Sequence, residues 1–321
     1  MRVDILRVEN LTKRYGDFTA VAGIGFTVQK GEVFGFLGPN GAGKTTTINM
    51  LTGLARVTEG SAYLAGIDCV KETKRAQKLM GIVPDESNLY PEMTGYENLD
   101  FCGALYGLEG KERRDRAHEL LQVVGLQEVA HKPFAAYSRG MKRRLTIAAG
   151  IIHKPEILFL DEPTTGIDVE SARQIRKMLL NLNKGGTTIF LTTHYLEEAE
   201  RLCGRIAFIV AGKIVKIDTT RGLLEKAQRG QTVQFSLSKG SERAGEVLQA
   251  AFPEYDWLVV DGQTLRVHSG KAIDLLPIME VFRDNSLALY EARVIRPTLE
   301  EIFVQITGGE QRKMRAGGGA K

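Results

Sequence analysis

The segment Gly38-Pro39-Asn40-Gly41-Ala42-Gly43-Lys44-Thr45 constrains this chain more than any other. It matches the phosphate-binding loop pattern G-x-x-x-x-G-K-[ST] in full, and its setting matches too. The apolar run Val33-Phe34-Gly35-Phe36-Leu37 ahead of it reads as a buried strand, and Thr46-Thr47-Ile48-Asn49-Met50-Leu51 behind it reads as the opening of a helix. Glycines let the backbone turn its N–H groups inward around a phosphate, and a helix N-terminus adds partial positive charge. Lys44 is placed to reach the β- and γ-phosphates of a nucleotide, and the Thr45 hydroxyl to hold Mg²⁺. The loop from Gly38 to Thr46 is therefore expected to bind a nucleoside triphosphate.

A chain of 321 residues can hold one large domain and a small one. A formal net charge of +4 is too mild to imply nucleic acid or an anionic membrane surface, so no nucleic-acid partner is expected. No apolar run approaches the roughly 18 residues a membrane helix needs. The opening MRVDILRVEN lacks a signal peptide's apolar stretch. Cys69, Cys102 and Cys203 show neither paired nor metal-ligand spacing, and reduced, mostly buried thiols in a cytosolic chain are expected.

Strands alternate with helices as far as Thr219, which predicts an α/β fold. Ile5–Val8 and Phe26–Val28 read as strands flanking a loop that holds Lys13, Arg14, Tyr15, Gly16 and Asp17. From Thr94 to about Leu126 the pattern is helical. Leu99, Phe101, Cys102, Leu105 and Tyr106 form one apolar stripe, and Ala117, Leu120, Leu121 and Val124 the next. The charged run Lys111 to Arg116 reads as a solvated helix face. Ser138 to Ile152 is expected as a helix with Ser138 at its N-cap. Ile157–Leu160 is a continuous apolar strand of the kind found in parallel sheets. Composition shifts near Thr219–Gly230. Beyond it the order strand, helix, strand, strand, helix, strand is that of a small α+β, ferredoxin-like unit, followed by a helix at Leu299–Ile306 and a disordered tail from Gly308. The expected domains are 1–220, with a helical part at about 85–153, then 231–307 and the tail 308–321.

Asp161 and Glu162 follow the strand Ile157–Leu160 directly. Such a strand brings a carboxylate beside the phosphate loop. Asp161 is expected to hold Mg²⁺ through water, and Glu162, one residue on, to orient or deprotonate a water attacking the γ-phosphate.

Tyr-Ser-Arg-Gly-Met-Lys-Arg-Arg-Leu (Tyr137–Leu145), Leu-Phe-Leu-Asp-Glu-Pro-Thr-Thr-Gly-Ile-Asp (Leu158–Asp168) and Leu-Thr-Thr-His (Leu191–His194) follow the phosphate loop in order. Over Val3 to Thr219 the chain resembles an ABC ATPase cassette, a P-loop NTPase with a helical insert. The region after Thr219, ending Arg-Pro-Thr-Leu-Glu-Glu-Ile-Phe-Val (Arg296–Val304), resembles the C-terminal extension of daunorubicin-resistance-type export ATPases. The resemblance implies hydrolysis of ATP with Mg²⁺ in a dimer, a homodimer or a pair with another ATPase subunit. It also implies a separate polytopic membrane permease, docked on the helical insert at about Asp85–Leu126. The chain would then be cytoplasmic and peripheral on the inner face of the membrane, driving export of a drug, lipid, ion or other small substrate. Carried over residue by residue, Tyr15 stacks on adenine, and Ser138 and Gly140 meet the γ-phosphate bound by the opposite subunit. Asp168 couples the two sites, and His194 donates a hydrogen bond to the γ-phosphate. Lys44, Glu162 and His194 are the catalytic set. Asp85 stands where the family has a glutamine that touches Mg²⁺. Arg139 and Met141 replace a glycine and a glutamine of the signature. The C-terminal unit is expected to help hold the dimer or to regulate its closure.

Other readings fit less well. A soluble ABC ATPase acting on a ribosome or nucleic acid would need long coiled-coil heptads or a second cassette. A GTPase would need Asn-Lys-x-Asp, whereas Asn183-Lys184 is followed by Gly185-Gly186.

Overall fold

The computed structural model describes residues 3–227, 230–295, 298–304 and 306. The tail 308–321 lies outside them. The chain forms two compact units, one running to Thr220 and taking in Ile306, the other Arg221–Gln305.

The first unit is built on a six-stranded sheet in the order Lys213–Thr219, Arg205–Val210, Val33–Leu37, Thr188–Thr193, Ile157–Asp161, Met80–Val83. All neighbours from Arg205–Val210 to Met80–Val83 are parallel, and Lys213–Thr219 pairs antiparallel at the edge. The three central strands are buried at every residue, as continuous apolar runs are when both faces of a parallel sheet are covered. An antiparallel sheet of Phe18–Gln29, Asp4–Tyr15, Glu59–Leu64 and Ile67–Asp68 shares the same core. There Phe26 stacks on Phe34 at 5.6 Å between centroids, and Phe190 packs on Phe34 at 5.8 Å. Ile48, Met50 and Leu51 of the helix Lys44–Leu51 join them.

The first two strands are longer than the sequence suggests. Lys13, Arg14 and Tyr15 lie in the strand, not in a loop, and the turn shrinks to Gly16 and Asp17. Gly16 takes the positive φ (+57°) that tight hairpin turns require. Register shifts between Val8 and Leu11 and again around Lys13 interrupt the alternation of apolar and polar residues, so the period-two pattern fades before the strand does.

The helical insert contains Gly95–Leu105, Gly110–Val123 and Arg139–Gly150. Thr94 and Glu97 close a capping box on the first. Asn98, wholly buried, accepts from the Tyr90 amide at 2.8 Å and donates to the carbonyls of Tyr90, Met93 and Thr94. Only part of the expected first stripe is core: Leu99 is buried, but Leu105 is 71% exposed. Nor is the charged run 111–116 simply a solvated face. Arg113 pairs with Asp100 at 2.6 Å, and Arg116 donates to the carbonyls of Ile151 and Ile152.

His153, just beyond the helix Arg139–Gly150, stacks on Tyr106 at 3.5 Å between centroids and donates from Nε2 to the Met80 carbonyl. Its Nδ1 is buried without a partner among the described residues. Burial pushes its pKa down from 6.5 to about 4. Below pH 6.5 the unfolded chain takes up a proton that the folded chain refuses, so stability falls from about pH 6.5 to about 4. In thermal melts across that range, His153→Gln should flatten the decline of Tm. An identical slope in the variant would count against this site as its source.

The second unit runs Gln231–Leu237, helix Ser241–Ala251, Asp256–Asp261, Thr264–Ser269, helix Leu275–Asp284, Leu289–Ile295. Its sheet has the order second, third, first, fourth strand, all antiparallel, which is the ferredoxin-like arrangement. Val233, Phe235, Leu265 and Val267 pack beneath Leu248, Ile278 and Phe282. The helix Thr220–Ala227 precedes it, where composition alone had suggested only a boundary.

Candidate functional site

Register brings the site together. Leu37 pairs with Thr193, and Asp161 with Thr192, so the strands carrying the phosphate loop, the acids and His194 end side by side. Ligands of open parallel sheets bind outside these carboxyl ends. Gly38, the residue after Leu37, lies so close to the neighbouring strand Arg205–Val210 that a Cβ there would collide with the Ile209 carbonyl oxygen. Gly43, at φ +103°, leads into the helix Lys44–Leu51, and no side chain caps that helix. Its first amides therefore keep their hydrogen-bonding capacity for an anion.

Lys44 is 6% exposed. Its ammonium donates to the carbonyls of Gly38 at 2.8 Å and Pro39 at 3.3 Å and pairs with Glu162 Oε1 at 3.2 Å. Glu162 Oε2 accepts from the Thr165 hydroxyl and from His194 Nδ1, each at 3.0 Å. Because a carboxylate accepts, Nδ1 carries the proton. The Glu162 backbone turns through φ +48°, an unusual value for a residue with a side chain. Its amide is held by both the carbonyl and the hydroxyl of Thr192. Burial pushes the Glu162 pKa up, but the His194 hydrogen bond and the charges of Lys44 and His194 outweigh it, leaving the carboxyl below its ordinary range.

Asp161 is buried and accepts from the Thr192 hydroxyl. Thr45 is exposed, and among the described residues its hydroxyl has no partner; the same holds for the hydroxyl of half-buried Thr46. No group of three or more His, Cys, Asp or Glu among the described residues could hold a metal ion unaided. A free threonine hydroxyl and one nearby acid suit Mg²⁺, which keeps waters and takes phosphate oxygens as its remaining ligands.

Ser138 caps Arg139–Gly150 by accepting from the Met141 amide at 3.3 Å, and Asp168 caps Val169–Lys184 by accepting from the Ser171 amide at 2.8 Å. The two helix starts touch: a Cβ on Gly140 would run into the Ser171 hydroxyl. Among the described residues no hydrogen bond or ion pair joins Ser138, Gly140 or Asp168 to the phosphate loop. Tyr15, 53% exposed, has the Lys13 ammonium over its ring at 4.7 Å. Asp85 Oδ1 accepts from Arg143 Nη2 at 3.1 Å. Arg143, Thr165 and Thr192 are participants that sequence reasoning passed over. Arg143 lies within a basic run, and Thr165 and Thr192 lie inside the quoted motifs Leu158–Asp168 and Leu191–His194 but were given no role there.

This fold and cluster define a P-loop nucleotide-binding protein. The sequence pattern of the ABC transporter family matches residues 21–165. The chain is 40% identical over 310 residues to the linearmycin resistance ATP-binding protein LnrL of Bacillus subtilis (strain 168), covering 95% of this chain and 98% of that one. It is 35% identical to the daunorubicin resistance ATP-binding protein DrrA2 of Streptomyces coeruleorubidus, covering 94% and 95%. Among solved structures, a dimeric ATP-binding cassette in a post-hydrolysis state with ADP and Pi matches 68% of this chain and 99% of its own, at 28% identity and TM-score 0.62. The chain belongs to the ABC transporter ATP-binding proteins, and it is an ATPase.

Proposed function

We propose that this chain dimerises around two ATP molecules and drives a separate membrane permease that exports a drug, lipid, ion or other small substrate. The observation that carries this reading is the nearly buried Lys44–Glu162 pair set between the phosphate loop and the ends of parallel strands. Lys44 exchanges Glu162 for the β- and γ-phosphates. Glu162, released and ionised, takes the proton of the attacking water while His194 and Thr165 hold its other oxygen. Thr45, and Asp161 through water, would hold Mg²⁺, which would supply charge neutralisation at the phosphates; Asp85 is the further candidate, with one oxygen already on Arg143. Tyr15, half exposed, stacks on adenine in this reading.

Among the described residues no hydrogen bond or ion pair joins the Ser138–Gly140–Asp168 cluster to its own phosphate loop. It is the other half of a site completed by a second copy, where the capped N-terminus of Arg139–Gly150 faces the partner's γ-phosphate. Tyr90, Leu105 and Tyr106 expose apolar surface on the insert, and we assign that surface to the permease. No helix among the described residues is long and apolar enough to cross a membrane, so the pathway lies in the permease, with this chain peripheral on the inner face. Linearmycin and daunorubicin appear in the relatives' names; the cargo of this chain follows its permease. The test is to recover tagged Glu162→Gln chain from gently solubilised membranes with MgATP. A stoichiometric polytopic membrane protein is expected. Ribosomal protein or nucleic acid without one would overturn the transport reading and leave the ATP chemistry standing.

A further inference from the structure

One guanidinium joins the insert to the catalytic turn. Arg143, in the helix Arg139–Gly150, is 7% exposed. Its Nη1 donates to the Pro84 carbonyl at 2.5 Å, and Nη2 donates at 3.1 Å to both Asp85 Oδ1 and the Glu162 carbonyl. Pro84 and Asp85 leave the strand Met80–Val83, Glu162 leaves Ile157–Asp161, and these strands are parallel neighbours. Arg143 therefore sits between two loops emerging from the same end of the sheet. Burial disfavours its charge, and Asp85, then Asp161 and Glu162, favour it. Glu162 adopts a left-handed backbone that a side chain resists. Such a residue stays put only if its peptide groups are held on both sides. Thr192 holds the amide, and the carbonyl accepts from Arg143 and from the Thr165 amide at 3.2 Å, so Arg143 is the anchor that comes from outside the turn.

We propose that Arg143 is a positioning residue: it fixes the backbone of Glu162 and, through Asp85, ties the loop that opens the helical insert to the catalytic carboxylate. The inference rests on the reading of Glu162 as the base. On this assignment Asp85 serves Arg143 and not the metal ion. Any displacement of the helix Arg139–Gly150 or of the Asp85 loop is passed to Glu162 without either segment touching the nucleotide on its own phosphate loop.

The test uses the full chain with Arg143→Gln, Arg143→Lys, Asp85→Asn and the pair Arg143→Gln/Asp85→Asn. Three quantities are read: kcat and KM for MgATP, Mg²⁺ requirement, and amide hydrogen exchange without nucleotide. Arg143→Gln should lose at least about tenfold in kcat, since small misplacements of a catalytic group are costly, with KM within about twofold of the parent. Exchange should rise at residues 85–87 and 162–166. Asp85→Asn, at a half-exposed position, should lose severalfold in kcat and add nothing in the Arg143→Gln background. Arg143→Lys should recover part of the rate, because an ammonium reaches some of the three acceptors but not all. An unchanged kcat in Arg143→Gln would overturn the proposal. So would an Asp85→Asn defect seen only as a raised Mg²⁺ requirement with exchange unaltered, which would give Asp85 to the ion. If Arg143→Gln does not fold, Asp85→Asn decides alone by the same criteria. Absence of hydrolysis in the parent chain would strike the ATPase reading, while exchange in the nucleotide-free variants still decides the link.

Discussion

Glu162→Gln should abolish steady-state ATP hydrolysis while ATP binding improves. The loss expected for removing a positioned base is about 10²- to 10⁴-fold. The gain in binding has a separate origin. The Lys44 ammonium is held by Glu162 Oε1 at 3.2 Å, so ATP must displace a nearly buried carboxylate before it engages the lysine. A neutral amide at 162 keeps the shape and removes that competitor, and the affinity of a fluorescent ATP analogue should rise severalfold. The variant should also accumulate as an ATP-bound dimer. Undiminished phosphate release would remove Glu162 from the mechanism. Weakened binding would show that the Lys44 pairing does not oppose nucleotide. In the parent chain Glu162 is held below the ordinary carboxylate value of 4.5 by His194 and Lys44 against the opposing effect of burial.

How much of this was legible beforehand depends on whether a residue's role is written in its neighbours along the chain. The phosphate loop, the strand Ile157–Asp161 ending in acids, and Ser138 at a helix start are local patterns, and structure placed each on the element its spacing required. The ferredoxin-like order of elements along the chain was legible for the same reason, because each strand and helix there is a short local pattern. The long hairpin was not, because bulges break the period on which strand recognition depends. Arg143 was not legible either. It is one of several basic residues in a run, and only the convergence of the strands Met80–Val83 and Ile157–Asp161 makes it the one that is buried. Leu105 misled in the opposite direction. Helical spacing places it in an apolar stripe, but a stripe can face a partner as readily as a core, and periodicity cannot tell the two apart.

Lys44→Ala should fail in two ways that a second substitution separates. The first is loss of ATP binding, since the ammonium is the one charge buried in the loop and the uncapped helix Lys44–Leu51 supplies only partial charges beside it. The second is loss of stability without any nucleotide. With Lys44 gone, the Glu162 carboxylate, 11% exposed, keeps His194 and Thr165 but loses its ion-pair partner. Stripping one member from a buried pair destabilises by on the order of 3 kcal/mol. Adding Glu162→Gln to Lys44→Ala removes the unpaired charge, so the double variant should melt above Lys44→Ala alone while remaining unable to bind ATP. The contrast isolates the pair from the ligand: recovery of Tm reports the ion pair, and continued failure to bind reports the phosphate site. If Lys44→Ala bound ATP normally, the loop would not be the nucleotide site. If the double variant melted no higher than Lys44→Ala, the two charges would be neighbours without being coupled, and the improved binding expected of Glu162→Gln would lose its cause.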